Sequence, residues 1–254
     1  MKTIKNIPYT VMGHPRHVLD VHLPEEKSFP VFVYFHGGGL VGGSKEQGFI
    51  PDLVKKGVAV VSANYRLYPE CSYPDFIKDA AATVAWAKNN ISEHGTVTGL
   101  YVGGSSAGGY LTQMLCFDKR YLSPFGIDAD SFSGYLMDAG QPTVHFNVLR
   151  ERGLDQRRVI IDEAAPIFHI TDTRNYPPMQ IIVSDNDMEN RFEQTMLLVS
   201  TLKHFGHTEN VTLKIMKNSS HCSYVSAFDE KGNSLFASIV SDFIQTTQKK
   251  GENQ

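Results

Sequence analysis

The stretch LYVGGSSAGGYLTQMLCF at residues 100–117 decides the fold, because it joins a strand pattern directly to a helix pattern. Residues 100–102 form a short apolar run typical of a buried strand, and residues 107–117 have a helical pattern. Between them lies Gly-x-Ser-x-Gly, the sharp strand-to-helix turn called a nucleophile elbow. Small residues are needed there, since the serine takes a strained conformation and other backbone passes close to it. The pattern predicts that Ser106 presents its hydroxyl at the end of a sheet.

The same alternation of apolar runs and helical patterns continues along the chain. Further strands are expected at residues 16–23, 31–35, 58–62, 133–137, 179–183 and 211–216, and helices at 49–56, 74–90, 189–205 and 234–247. Strands that alternate with helices predict an α/β fold, a mostly parallel sheet with helices on both faces. Since no internal repeat or linker is present, we expect a single domain over residues 1–254.

The composition argues against several classes of protein. The chain has 254 residues and a formal net charge of −3, so nothing points to nucleic acid or an anionic membrane as partner. No run approaches the roughly 18 apolar residues of a membrane span. The three cysteines and ten histidines lack zinc-site spacing, so no metal and no cofactor is expected. Residues 1–8 lack the apolar core of a signal peptide, which favours a cytoplasmic protein unless a leader was removed earlier.

A glycine-rich segment follows the strand expected at residues 31–35. There His36 precedes three consecutive glycines. Backbone N–H groups that no side chain obstructs can stabilise the oxyanion of an acyl-transfer reaction, and this placement matches the oxyanion loop of esterases and lipases. The other donor is expected to be the amide of Ala107, directly after the serine. A phosphate-binding turn is the alternative, but the spacing of the glycines matches neither of its common motifs.

Acidic residues and a histidine follow the next two expected strands. Asp185 and Asp187 come after residues 179–183, and His221 comes after residues 211–216. The hydroxyl of serine is a poor nucleophile without a base, and imidazole, with an ordinary pKa of about 6.5, can take and return a proton. A carboxylate then fixes the imidazole tautomer. Either aspartate could instead cap the helix that follows.

These features resemble the hormone-sensitive-lipase-like branch of the α/β-hydrolases, the group of small acetyl esterases and feruloyl esterases. The chain order Ser, Asp, His is that of the superfamily. Residues 65–70, YRLYPE, are similar to the YRLAPE segment of the group, and residues 163–166, EAAP, resemble the segment before its acid strand. The resemblance implies a single-domain α/β-hydrolase. No large N-terminal cap is expected, because the few residues before the glycine-rich segment have strand patterns.

The resemblance also implies roles for individual residues. The Asp-Pro-Leu triplet of the family aligns its acid with Asp187, and Asp185 stays the alternative because proline and leucine are replaced here. The second and third glycines of the HGGG motif supply the oxyanion amides in this family, which implies Gly38 and Gly39. His36 would brace the loop and would not be the base.

The irregular segment at residues 140–166 is the candidate for a substrate-covering insertion, since it begins at a strand end on the side of the expected site. The residues expected to contact substrate are Leu40, Gln141, His145 and Phe146. Further candidates are the polar Asn147, Arg150 and Arg152 and the apolar Val41 and Tyr224. In the alternative interpretation, residues 150–158 form a solvated helix and only the start of the segment reaches the pocket.

Together these residues predict a serine carboxylesterase that acts on short acyl or aryl esters. Acetyl or feruloyl esters of carbohydrates are candidate substrates, and Ser106, His221 and Asp187 would form the catalytic triad. An amide hydrolase, such as an arylformamidase or a peptidase-like enzyme, would use the same residues. A hydrolase-fold binding protein without turnover fits less well, because all three residues are present. A homodimer is compatible with this fold.

Overall fold

The computed structural model describes residues 1–11 and 13–251, and an eight-stranded sheet forms its centre. In chain order the strands are β1 (Lys2–Pro8), β2 (Val18–Leu23), β3 (Ser28–Phe35), β4 (Ala59–Ala63), β5 (Thr96–Ser105), β6 (Gly134–Asp138), β7 (Met179–Asn186) and β8 (Val211–Ser220). The spatial order is β1-β2-β4-β3-β5-β6-β7-β8. The strands β1, β2 and β4 pair antiparallel, and the other neighbours are parallel. The predicted α/β fold with a mostly parallel sheet is confirmed.

Helices cover both faces of the sheet. They are α1 (Ile50–Lys55), α2 (Asp75–Asn90), α3 (Ala107–Phe117), α4 (Phe146–Glu151), α5 (Arg191–His204) and α6 (Leu235–Gly251). Buried residues of α2, α3 and α5 pack into one apolar layer, and those of α1 and α6 pack into a second layer on the opposite face.

The sequence of β3 explains how one sheet supports two apolar layers. Successive side chains of a strand point to opposite faces. Val31, Val33 and Phe35 belong to the layer of α2 and α3, whereas Phe32 and Tyr34 belong to the layer of α1 and α6. All five residues are at most 1% exposed, as expected of a central parallel strand that is buried on both faces.

Within the segment at residues 140–166, the helix does not lie where it was considered, at residues 150–158. The helix α4 lies earlier and ends at Glu151. Gly153 has a φ of +70°, its amide donates to the carbonyl of Arg150, and the amide of Leu154 donates to that of Leu149. This is the Schellman arrangement that ends helices at a left-handed glycine, so the helix considered for residues 150–158 was wrong.

None of the helices in the described part of the chain combines the length and the apolar character that crossing a bilayer requires.

Candidate active site

The turn between β5 and α3 holds Ser106 in a conformation that few residues adopt. Its φ is +56° and its ψ is −114°. A Cβ on Gly104 would lie 2.5 Å from the carbonyl oxygen of Gly108, and a Cβ on Gly108 would overlap the carbonyl oxygen of Phe35. Both glycines are therefore required by close backbone contacts, the physical reason for the sequence pattern.

The structure brings Ser106, His221 and Asp187 into one hydrogen-bonded line. The Oγ of Ser106 lies 2.8 Å from Nε2 of His221, and Nδ1 of His221 lies 2.5 Å from Oδ1 of Asp187. An ionised carboxylate only accepts hydrogen bonds, so Nδ1 carries the proton and donates it to Asp187. The unprotonated Nε2 then accepts the hydrogen bond from the serine hydroxyl. This arrangement allows the imidazole to remove the serine proton.

Backbone amides orient the Asp187 carboxylate toward His221. Its side chain has no exposed surface, and its carboxylate accepts the amides of Ser184 at 3.2 Å and Met188 at 2.7 Å. Burial pushes the pKa of the carboxyl upward, but the hydrogen bond and charge of His221, together with the two amides, hold the pKa below its ordinary value. The carboxyl is therefore ionised at neutral pH.

The other candidate acid, Asp185, contacts a different part of the chain. Its exposed carboxylate accepts the amides of Asn218 at 3.0 Å and Ser219 at 3.3 Å, near the end of β8. These backbone hydrogen bonds lower the pKa of Asp185. Of the two acids, Asp187 is the one that contacts His221.

The glycine-rich segment after β3 forms a tight loop beside the elbow. Gly38 and Gly39 have φ values of +109° and +63°, and the carbonyl oxygen of Gly38 accepts the amides of Val41 and Gly42. A side chain on Gly38 would overlap the carbonyl oxygen of Gly42. Ala107 begins α3, where the first amides of a helix have no acceptor within the helix.

His36 stabilises this loop through a hydrogen bond to its backbone. Its Nε2 lies 3.2 Å from a guanidinium nitrogen of Arg16, which only donates, so Nδ1 carries the proton and donates to the carbonyl of Gly37 at 2.6 Å. The ring also stacks on Tyr65 with centroids 4.3 Å apart, and the Tyr65 hydroxyl donates to the carbonyl oxygen of His36. Burial lowers the pKa of His36 to about 4, so the ring is neutral. Arg16, which also donates to the carbonyl of Gly43, was not recognised in the sequence because its partners lie far along the chain.

Two residues expected to contact substrate are instead part of the protein interior. Gln141 is 3% exposed; its amide donates to Thr143 and to the carbonyl of Val144, and its carbonyl oxygen accepts the amide of Phe146. His145 is 1% exposed and caps α4 by accepting the amide of Asn147. Both side chains hydrogen-bond to the backbone of the turn that enters α4 and neither is exposed, so their contact with substrate stays a prediction.

Two further predicted pocket residues are also buried. Leu40 is 1% exposed with a φ of +64°, and its carbonyl oxygen accepts the amide of Tyr68. Tyr224 is 2% exposed and its hydroxyl donates to Asp138. Neither side chain therefore offers a surface for an acyl group, whereas Val41 is 46% exposed beside the glycine loop.

The start of α4 does lie against the glycine-rich loop after β3. A Cβ on Gly39 would lie 3.3 Å from Cζ of the half-buried Phe146, and the side-chain amide of Asn147 donates to the carbonyl oxygen of Gly39. Asn147 thus binds the loop, although the sequence suggested a contact with substrate. Arg152 forms an ion pair with Asp162 at 2.6 Å. Phe146 is the one of the four predicted pocket residues that stays partly exposed here.

A buried arginine and a buried aspartate near the site were missed in the sequence. Arg191, at the start of α5, donates to the carbonyl of Ala139 and to Gln141. Burial lowers the pKa of Arg191 to about 10, so it remains charged. Asp138 is the last residue of β6, and Asp185 likewise follows the apolar part of β7. An acidic residue at the end of an apolar strand led to Asp185 in the sequence, and the same pattern could have led to Asp138. Within residues 1–11 and 13–251, no three His, Cys, Asp or Glu side chains are grouped to hold a metal ion.

Comparisons with known proteins relate the chain to esterases. The BD-FAE family model matches residues 19–128. Esterase LipC of Mycobacterium tuberculosis is 29% identical over 214 residues, which cover 74% of this chain and 53% of that protein. Tuliposide A-converting enzyme b1 of Tulipa gesneriana is 37% identical over 106 residues, or 36% of this chain and 28% of that protein. The chain thus matches about half of the length of LipC and less of the tulip enzyme.

A solved structure with the same fold is that of esterase B from Lactobacillus Rhamnosis. It covers 99% of this chain and 87% of its own, with a TM-score of 0.80 and 18% sequence identity. The match covers almost the whole chain, so the fold is shared although the sequences have diverged. The chain therefore shares the fold of this esterase, and the family-model match and the related esterases support the α/β-hydrolase esterase group.

Proposed function

We propose that this protein is a serine carboxylesterase that hydrolyses short acyl or aryl esters through an acyl-enzyme on Ser106. The observation that carries the proposal is the hydrogen-bonded line from the Ser106 hydroxyl through His221 to the buried Asp187. An imidazole oriented by a carboxylate is the usual base for a serine nucleophile. The related proteins named as esterases support the same reaction.

The first step is attack of the Ser106 oxygen on the ester carbonyl while Nε2 of His221 takes the hydroxyl proton. Asp187 stays ionised, holds Nδ1 protonated and stabilises the imidazolium. When the tetrahedral intermediate collapses, the bond to the alcohol oxygen breaks and the alcohol takes the proton from His221. Water then attacks the acyl-enzyme with His221 as base, which releases the acid and restores Ser106.

Negative charge develops on the carbonyl oxygen in both steps. We assign its stabilisation to the amides of Gly38, Gly39 and Ala107, because the glycine loop lies against the elbow, where a Cβ on Gly37 would be 3.3 Å from Cβ of Ser106, and Ala107 directly follows the serine. One such donor contributes about 10² to 10³ in rate. The proposed chemistry needs no metal or cofactor, since backbone amides stabilise the charge.

We infer that the substrate is an ester with a polar alcohol or acyl part, such as an acetylated or feruloylated carbohydrate. Arg150, one turn after Phe146, is exposed, and its guanidinium lies 5.9 Å from the ring centroid of Tyr68. The amide of Tyr68 donates to Leu40 beside the oxyanion loop, so this pair forms a polar rim next to the site. A solved structure named as a truncated carbohydrate esterase from gut microbiota has a TM-score of 0.77 to this chain. In this proposal residues 1–254 form one catalytic domain, and residues 140–166 contribute a pocket wall through Phe146.

The experiment measures hydrolysis of p-nitrophenyl esters from acetate to octanoate by wild type, Ser106→Ala and Ser223→Ala. Ser223 is an exposed serine two residues after His221, so its variant controls for a hydroxyl lost near the site. We expect turnover of short esters that Ser106→Ala abolishes and Ser223→Ala retains. Acetylated xylose and methyl ferulate then test the carbohydrate ester, and N-formyl anilides test an amide hydrolase. Wild-type turnover that Ser106→Ala leaves intact would contradict the proposal.

A further inference from the structure

Asp138 is a buried carboxylate behind the nucleophile that the proposed mechanism does not use. It is the last residue of β6 and has no exposed surface. Its backbone carbonyl accepts the amide of Ser106 at 2.8 Å, so the residue is tied directly to the elbow. A carboxylate is rarely buried in this way unless its hydrogen bonds compensate for lost hydration.

The side chain of Asp138 contacts the loop that carries the base. Its Oδ1 accepts the hydroxyl of Tyr224, which lies in the single-turn 3₁₀ helix Ser223–Val225, directly after His221 and Cys222. Tyr224 is 2% exposed and packs into the layer of α1 and α6. Asp138 therefore binds the elbow through its backbone carbonyl and, through its side chain, the loop at residues 221–225 that carries His221, here called the histidine loop.

Several charged or titratable groups face Asp138 from the surrounding elements. Burial raises the pKa of Asp138 to about 6, while Ser105, Tyr224 and the charge of His221 lower it and that of Asp187 raises it. The thiol of Cys222 faces it from the histidine loop, and the hydroxyl of Tyr34 reaches this site from β3 by donating to Ser105. From the start of α5, Arg191 donates to the carbonyl of Ala139, the residue after Asp138.

We propose that Asp138 is a positioning residue for catalysis, which holds His221 in line with Ser106 through the hydroxyl of Tyr224 and adds a second negative charge beside the imidazolium. This inference rests on the proposed esterase function. The position of Asp138 at the end of a strand next to that of the nucleophile lets one rigid residue fix both the elbow and the loop. Protonation of Asp138 near pH 6 removes the second charge, so we expect activity to fall more steeply below this pH in wild type than in Asp138→Asn.

The test compares Tyr224→Phe with Tyr135→Phe. Tyr135 is a matched control because it lies on β6, is fully buried and donates its hydroxyl to the carbonyl of Ala129 at 2.8 Å. We expect Tyr224→Phe to lower kcat about tenfold with KM within twofold, and Tyr135→Phe to leave both within twofold. Thermal unfolding measures the stability of both variants, and we expect the larger loss in Tyr224→Phe because its partner is a buried carboxylate.

Asp138→Asn separates charge from hydrogen bonding, since its carbonyl oxygen can still accept the Tyr224 hydroxyl. We expect kcat at pH 7.5 to fall several-fold, and the extra loss of kcat/KM near pH 6 to disappear. An unchanged pH profile in Asp138→Asn, or equal kcat for Tyr224→Phe and Tyr135→Phe, would overturn the proposal.

A measurement without substrate keeps this inference separate from the esterase function. The proton on Nδ1 of His221, which lies 2.5 Å from Oδ1 of Asp187, is expected to give a far-downfield ¹H NMR resonance. We expect Tyr224→Phe to shift or broaden this resonance and Tyr135→Phe to leave it in place. If wild type turned over no ester, the proposed function would fail while this readout still tested the positioning by Asp138. A resonance unchanged in Tyr224→Phe would contradict the positioning.

Discussion

The turn around Ser106 and the segment that follows β6 hold their residues in place by different means. At the elbow, close approach between backbone atoms determines the residues, because side chains on Gly104 or Gly108 would meet other main-chain atoms. After β6, buried side chains such as Gln141 determine the path by hydrogen bonding to nearby amides and carbonyls. The first kind of constraint leaves a short motif in the sequence, and the second leaves only polar residues that look available for a ligand.

This contrast explains why the sequence predicted the turn at Ser106 but not the burial of Gln141 and His145. A polar residue after a strand end is expected near an active site, and Gln141 and His145 satisfy that description. Their side chains instead hydrogen-bond to the turn that enters α4, whose first turn packs on Gly39 of the glycine-rich loop. The segment thus contacts the candidate site through packing on Gly39, and Phe146 is its partly exposed residue there.

The largest effect is expected from Gly108→Ala, which tests whether backbone contact alone determines the elbow. The new Cβ would overlap the carbonyl oxygen of Phe35, and neither backbone can move without breaking β3 or α3. We expect a loss of more than about 4 kcal/mol in the free energy of unfolding, measured by urea denaturation. Gly48→Ala is the control, because a Cβ there would meet no atom within 4 Å. Equal stability of the two variants would refute the steric account.

An effect on activity alone, without loss of the fold, is expected from Asp187→Asn. Loss of the carboxylate charge leaves the imidazole in the wrong tautomer, which lowers kcat about 10⁴-fold in triads of this kind. Asp185→Asn removes a carboxylate two residues away that binds only backbone amides, and we expect kcat within threefold of wild type. Steady-state kinetics on p-nitrophenyl acetate compares them, and the reverse ranking would assign the acid to Asp185.

The pH dependence of the unfolding free energy tests a third buried side chain near the site, Asp138. Its pKa of about 6 in the folded protein lies above the ordinary value of 3.8, so the folded state binds this proton more tightly than the unfolded state. Stability from this group is therefore present at low pH and decreases as pH rises to about 6, by about 3 kcal/mol in all. We expect the unfolding free energy of Asp138→Asn, relative to wild type, to increase from pH 4.5 to pH 7. A constant difference across this range would show that Asp138 has an ordinary pKa.

The smallest effect is expected from Gln141→Ala, which tests the second kind of constraint. Removing the side chain leaves the amide of Phe146 and the hydroxyl of Thr143 without this partner, so we expect a loss of about 1 to 3 kcal/mol in unfolding free energy. The KM values across the ester panel should stay within twofold. A changed chain-length preference at unchanged stability would instead make Gln141 a substrate contact.

Much of the fold could be predicted because it follows local rules. The run at residues 31–35 and the elbow at 104–108 are constrained by burial on both faces and by steric contact, and both leave strong patterns. The bracing of His36 by Arg16 could not be predicted, since it depends on a guanidinium 20 residues earlier in the chain. The same holds for Asp138 and Tyr224, whose contact joins residues 86 positions apart.

The most direct test of the central claim is covalent labelling by a fluorophosphonate, with the modified peptide identified by mass spectrometry. The account predicts a single label on Ser106, none in Ser106→Ala, and much slower labelling in His221→Asn, where the base is lost. Labelling of another residue, or equal labelling rates in wild type and His221→Asn, would contradict the claim that Ser106 is a nucleophile activated by His221.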